Sequence, residues 1–230
     1  MLAAAVLACA MALPAFAQGD GKIRIVGRAT VEVVPDFVVV RVGVSTKAST
    51  PTGALDQNSA AARKIIAFSK TFGIEERDIQ TDAINLSQAT KPVPVTTGNV
   101  RYEPDGYSAS NIVRIKLSDL SRVGTFMRQV LEQGATNING VQFGIANREK
   151  VADEARTKAV EEAIRQSQLL AQAAKVKLGR ILEVVHPVRS EYRYADGEAD
   201  MPYRPRASRV PIEAGVMSIA AEVEVVWAIE

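Results

Sequence analysis

A single histidine, a single cysteine and 26 acidic residues bound the chemistry open to this 230-residue chain. His186 shares strand parity with Leu182 and Val184 and stands directly before Pro187. It reads as a half-buried strand end, because a metal site needs several converging ligands and a catalytic base needs partners. Asp78 with Asp82, and Glu222 with Glu224, are the carboxylate pairs that could divide acid and base work if a pocket shifted their pKa values. Alternation along a strand equally places Glu222 and Glu224 on a solvated sheet face, and that reading is preferred. No GxGxxG, P-loop or HExxH pattern occurs, and Gly19-Asp20-Gly21-Lys22 lacks the preceding strand of a phosphate-binding turn. No catalytic, cofactor-binding or metal-ligating residue is assigned, and no cofactor is expected. A carboxylate-based hydrolase stays as the minor alternative.

Recognition offers more than catalysis. Arg189, Tyr192, Arg193, Tyr194, Tyr203, Arg204, Arg206 and Arg209 interleave with Glu191, Asp196, Glu198 and Asp200 in a long polar stretch, 187–214. Arg and Tyr are favoured at binding hot spots, so this is the candidate interaction loop. Pro202, Pro205 and Gly197 suit a disordered polar loop equally well. A net charge of +2, from 28 Lys and Arg against 26 Asp and Glu, is too small to steer the chain to nucleic acid or an anionic membrane.

Residues 1–17 supply an address. Leu2 to Leu13 is uncharged and apolar, and Pro14 with Ala15-Phe16-Ala17 closes it as a small-x-small cleavage site. The run is shorter than the roughly 20 residues of a membrane span, so it reads as a secretory signal peptide cut after Ala17. Val6-Leu7-Ala8-Cys9 resembles a lipoprotein box, but apolar sequence continues beyond it. No Lys or Arg precedes Lys22, which points to a true start upstream of Met1. Cleavage removes Cys9, so residues 18–230, read as one domain, rely on packing without disulfides.

Elements follow from periodicity. Ile23, Ile25, Gly27, Ala29, Val31 and Val33 alternate with Arg24, Arg28, Thr30 and Glu32. Val38, Val40, Val42 and Val44 do so after Val34-Pro35-Asp36-Phe37. With proline and aspartate as turn formers, 22–46 reads as one antiparallel hairpin. Thr50-Pro51 opens a helix with Leu55, Ala62, Ile65, Ile66 and Phe72 on one arc, ended by Gly73. A weak strand covers 81–88, and 89–106, with Pro92, Pro94 and Pro104, reads as a loop. A strand follows from Tyr107 to Leu117, then a helix capped by Ser118 or Asp119 and closed by Gly134, then a short strand at Val141, Phe143 and Ile145. A third helix, about 148–176, faces inward with Ala152, Ala155, Ala159, Ala163, Leu170 and Ala174. Strands at 181–186 and 217–229 finish the chain. Elements interspersed in this way give an α+β fold in two layers: an antiparallel or mixed sheet of six to seven strands under three helices.

The order and spacing of several short motifs are familiar. Val31-Glu32-Val33-Val34-Pro35-Asp36, Gly73-Ile74, Asp78-Ile79-Gln80-Thr81, Gly106-Tyr107-Ser108-Ala109-Ser110-Asn111, Gly140-Val141-Gln142-Phe143 and Pro211-Ile212-Glu213-Ala214-Gly215 together resemble the SIMPL-domain family of bacterial envelope proteins. The resemblance implies a periplasmic or outer-membrane-associated protein of the immunogenic-antigen type. It also implies links to stress, with ring-like or channel-like homo-oligomers in some members. It implies no established catalytic residues. Pro35, Asp36, Gly73, Asp78, Gln80, Thr81, Gly106, Tyr107 and Gly215 carry the motif, and turn chemistry accounts for their types. The expectation is a non-enzymatic periplasmic protein that self-associates; the alternative is a module binding another envelope protein through 189–209, with peripheral membrane association open. A transmembrane barrel is disfavoured, since the strands are few and separated by charged helices.

Overall fold

The computed structural model describes residues 21–95, 100–186 and 212–230, together with the backbone of 192–194. The expected signal peptide, most of the 187–214 stretch and the side chains of Tyr192, Arg193 and Tyr194 lie outside the described residues. Among the described residues there are eight strands and three α-helices: β1 Lys22–Val33, β2 Phe37–Ala48, α1 Pro51–Thr71, β3 Ile79–Pro94, β4 Val100–Leu117, α2 Val123–Glu132, β5 Asn137–Gly144, α3 Arg148–Ala174, β6 Leu178–Val185, β7 Tyr192–Tyr194 and β8 Met217–Ile229. The class is α+β, as expected, with the strands divided between two sheets. Sheet A has the order β1-β8-β6, with the short β7 also on β8, and sheet B the order β3-β4-β2-β5. Within the stretch read as one domain, the chain forms two compact units. One comprises the described parts of Met1–Thr30, Glu154–Glu191 and Ala220–Glu230; the other, those of Val31–Asp153 and Tyr192–Ile219.

The expected hairpin over 22–46 does not form, because β1 pairs in sheet A and β2 in sheet B. Alternation fixed the faces of both strands but carries no information on the pairing partner. At the bend Asp36 bonds far from its own turn: its N–H donates to the Gly144 carbonyl at 3.0 Å and its Oδ1 accepts from Ala146 N at 2.7 Å. β2 is thereby fastened to the end of β5 instead of folding back on β1.

β2 is the inner strand of sheet B. It pairs antiparallel with β4, from Val38 opposite Leu117 to Ala48 opposite Tyr107, and with β5 on its other side. Val38, Val40, Val42 and Val44 are fully buried and meet Val113, Ile115 and Leu117 of β4 in the core. Helices α1 and α2 complete that core. Phe126 packs against Phe68 and Phe72 with ring centroids 5.9 and 5.2 Å apart, the second pair edge-to-face. Both helices end in a Schellman motif. Gly73 N–H reaches Lys70 O and Ile74 N–H reaches Ser69 O, and Gly134 and Ala135 repeat the pattern on Leu131 and Val130. The two glycines take φ of +98° and +103° there. On α1 the buried positions are Ala54, Asn58, Ala62, Ile65 and Ser69, whereas Leu55 is exposed. Asn58 is a polar member of the stripe because both its amide hydrogens are used, on the Val44 and Ala109 carbonyls at 3.0 Å.

The segment 89–106 is strand, not loop. β3 and β4 continue as a two-stranded ribbon, with Thr90 opposite Pro104, Pro92 opposite Tyr102 and Pro94 opposite Val100. Prolines fit because β3 is an edge strand and this part of β4 has lost its β2 partner, so a missing N–H breaks no second ladder. The ribbon departs at Gly106, where φ is +78° and an added β-carbon would lie 2.4 Å from the Ala48 carbonyl oxygen.

In the other unit, α3 lies on sheet A through very small side chains. Ile25, Val223, Val225 and Trp227 pack with Ala159 and Ala163. The buried stripe runs Ala155, Ala159, Ala163, Ser167, Ala171, while the expected Leu170 and Ala174 are exposed. A contact following an i+4 ridge is inclined to the helix axis, and a stripe drawn parallel to the axis misplaces its last turns. At Gly27 an added β-carbon would lie 2.0 Å from the Ala159 carbonyl oxygen, so β1 meets the helix backbone itself. Two substitutions test these cores by thermal or urea unfolding. Phe126→Ala is expected to lose about 4 kcal/mol through cavity formation. Gly27→Val is expected to lose about 3 kcal/mol through overpacking, because the obstructing atoms are backbone.

Candidate functional site

The structure takes the sequence-picked carboxylates apart. Glu222 bonds Arg28 at 2.8 Å and Glu224 pairs with Arg24, both arginines standing on the wet parity of β1. These are cross-strand ion pairs on the solvated face of sheet A, with Arg24, Arg28 and Glu222 exposed and Glu224 half-buried. Asp82 pairs with Arg41, and Asp78 closes the short 3₁₀ turn Glu76–Asp78, its N–H donating to the Glu75 carbonyl at 2.9 Å. The carboxyls whose pKa departs from the ordinary range are lowered. Lys47 lowers Asp105 by a hydrogen bond, the Ser121 hydroxyl lowers Asp119, and Arg165 with Gln166 brings Glu162 to about 2. A carboxyl lowered in this way is a poor proton donor at neutral pH. Asp119 spends its charge on the Ser121 N–H at 3.0 Å, at the head of the turn into α2.

His186 is exposed and directs Nδ1 to the Glu222 carbonyl at 3.1 Å, so the histidine expected to be half-buried stands in solvent beside β8. Among the described residues no group of three or more His, Cys, Asp or Glu side chains could hold a metal ion. No helix among them is long and apolar enough to cross a membrane.

The motif residues prove structural in their contacts. Pro35 is buried and Asp36 makes the two bonds already described. Gly73 ends α1 at positive φ, Gly106 starts the ribbon and Gly215 has φ of +58° before β8. Gln80 accepts from Arg114 at 2.6 Å, Thr81 pairs with Val113 of β4, and Tyr107 sits between Ala48 and Gln88. Of the candidate interaction loop, Arg189, Tyr203, Arg204, Arg206 and Arg209 lie outside the described residues. The backbone of Tyr192, Arg193 and Tyr194 forms β7 and pairs with Ile219, Ser218 and Met217.

What periodicity left unremarked is apolar surface. On β6, Ile181, Leu182, Val184 and Val185 are all exposed, and this strand is an edge of sheet A. On the β3–β4 ribbon Ile84, Leu86, Val95, Val100 and Tyr102 are exposed too. The signal was available in Ile181-Leu182 and Val184-Val185, where apolar residues occupy both parities of one strand.

An α+β chain with helix ends, bends and ribbon fixed by turn motifs, and without an assembled catalytic set among its described residues, is the class of protein the geometry defines. The chain belongs to the SIMPL family, a protein of unknown function (DUF541), whose pattern matches residues 23–227. It is 31% identical over 233 residues to the 26 kDa periplasmic immunogenic protein of Brucella melitensis, covering 96% of this chain and 92% of that protein. It is 30% identical over 162 residues to the uncharacterized protein YggE of Edwardsiella ictaluri, covering 70% of this chain and 66% of that one. The corresponding YggE of Escherichia coli K12 is 27% identical over 173 residues.

Asp36 supplies the test of the motif's structural role. Asp36→Ala is expected to lower stability by about 1–2 kcal/mol, since the Ala146 N–H loses its acceptor, while Asp36→Asn, which keeps a carbonyl oxygen there, recovers most of the loss. Chemical denaturation of the two variants side by side checks both halves.

Proposed function

We propose that this protein is a non-enzymatic component of the periplasm that works by self-association, using the β6 edge of sheet A. The observation that carries the reading is β6 itself. Its backbone edge away from β8 is unpaired among the described residues, and four large apolar side chains project from it into solvent. Strand edges of this kind are templates for a second chain unless charge blocks them, and the strand's only charges are Arg180 and Glu183. Relatives named periplasmic immunogenic proteins support the compartment. The described motif residues bond within the fold, Asp36 to the Ala146 N–H and Gln80 to the Arg114 side chain, which supports a structural role for them.

A second reading, capture of another envelope protein through 189–209, draws support from β7, which anchors the start of that stretch to β8. Sedimentation of the chain beginning at Gln18 is expected to give a species heavier than one chain. The double variant Ile181→Lys with Val184→Lys is expected to sediment as single chains with an unchanged circular dichroism spectrum. A parent protein that stays monomeric at high concentration would overturn the reading. Deleting 196–209, which spares β7, then separates the second: lost partner capture with intact assembly favours it.

A further inference from the structure

The outer face of sheet B carries a cleft that, among the described residues, is lined by no carboxylate. Its volume is about 360 Å³, within the range of small-molecule sites. Phe37 and Val39 of β2, Phe143 of β5 and Ile219 of β8 give it an apolar floor, and Arg114 and Arg148 stand on its rim. The Phe37 ring lies directly over its register partner Gly144, where an added β-carbon would fall 2.2 Å from the ring.

Charge is placed at this cleft against local cost. Arg114 and Arg41 are direct partners in the β2–β4 register, and like charges opposed across strands destabilise a sheet. Asp82 neutralises Arg41, whereas Arg114 bonds the neutral Gln80 side chain at 2.6 Å. Two residues along the same face, Lys116 holds its ammonium 4.4 Å from the centre of the Phe37 ring. The hollow continues beyond Arg114 past Lys116 and Gln80, and Asp78 is the one carboxylate lining that extension. Arg114, bonded among the described residues to an amide, and Lys116, held over a ring, stand beside the apolar floor and form a complement to an anion with an apolar body.

Size and shape narrow the class. At about 30 Å³ per water-sized group, the cleft holds a body of about a dozen non-hydrogen atoms, too few for a two-tailed lipid. One guanidinium fork matches one carboxylate. We propose that the cleft binds a single-chain organic carboxylate, its headgroup on Arg114 and its apolar body across Phe37 and Val39. The β7 backbone, Tyr192–Tyr194, pairs with β8 opposite Ser218, a residue of the cleft wall.

The proposal is independent of self-association and is tested with sodium dodecanoate, below its micelle-forming concentration, titrated calorimetrically into the chain beginning at Gln18. Saturable binding at one site per chain is expected, weakened about tenfold or more by Arg114→Gln and unaffected by Arg63→Gln on the exposed face of α1. Val39→Trp, which fills the floor and keeps both cations, is expected to lower affinity as well. Dodecyltrimethylammonium, with the same tail and the opposite charge, is expected to give no saturable binding. Absence of dodecanoate binding, undiminished binding by Arg114→Gln, or equal binding of the cation would overturn the proposal. Sedimentation of Arg114→Gln in parallel distinguishes loss of ligand from loss of assembly.

Discussion

The carboxylate of Asp36 is the constraint on which the architecture turns. By accepting the Ala146 N–H, while its own N–H donates to Gly144, Asp36 joins the start of β2 to the end of β5. Two residues after Ala146 α3 begins, with the Asn147 side chain accepting from Lys150 N at 3.1 Å as its cap. A chain that leaves β1 at Val33 is therefore directed away from a hairpin, because the donor and acceptor that hold the bend, Ala146 N–H and the Gly144 carbonyl, belong to a segment more than a hundred residues away. β2 is released to become the inner strand of the other sheet. Its four buried valines then gather β4, β5, α1 and α2 around them.

What the sequence made legible was whatever period and local chemistry determine. The faces of β1, β2 and β8 follow from alternation, and Arg24, Arg28, Glu222 and Glu224 all fall on the wet parity where the structure pairs them. Gly73 and Gly134 end their helices for the left-handed conformation that no other residue adopts as readily. Partner choice was not legible, since the same alternating strand fits either sheet. Proline misled at 89–106, because its missing N–H forbids a central strand but not an edge. Asn58 and Ser69 were passed over on α1 because polarity hides a buried position whose partner carbonyls lie elsewhere in the fold, as for Asn58, or one turn back on the same helix, as for Ser69.

The candidate chemistry fared in the same way. Carboxylates at strand spacing could be picked out, yet only the fold supplied the arginines that pair with three of the four. The apolar residues on the wet parity of β2, Phe37 and Val39, were the readable sign of a cleft. Their meaning depended on β4 setting Arg114 and Lys116 beside them. The cleft is thus composed of residues that individually break the polar-out pattern, and it emerges only where several strands break it at the same place.

The alanine stripe of α3 has an energetic consequence of its own. Alanine and glycine have no side-chain rotamers to freeze, whereas each buried leucine or isoleucine gives up about 0.5–1 kcal/mol of such freedom. Four alanines and Gly27 therefore add almost no side-chain entropy cost to the interface; that cost falls on Ile25, Val223, Val225 and Trp227 of sheet A, and the small residues let these side chains and the β1 backbone reach the helix backbone closely. Such an interface has a single arrangement available to it. In a chain whose one cysteine is at position 9, order between helix and sheet is secured by the absence of alternatives, not by a covalent tie.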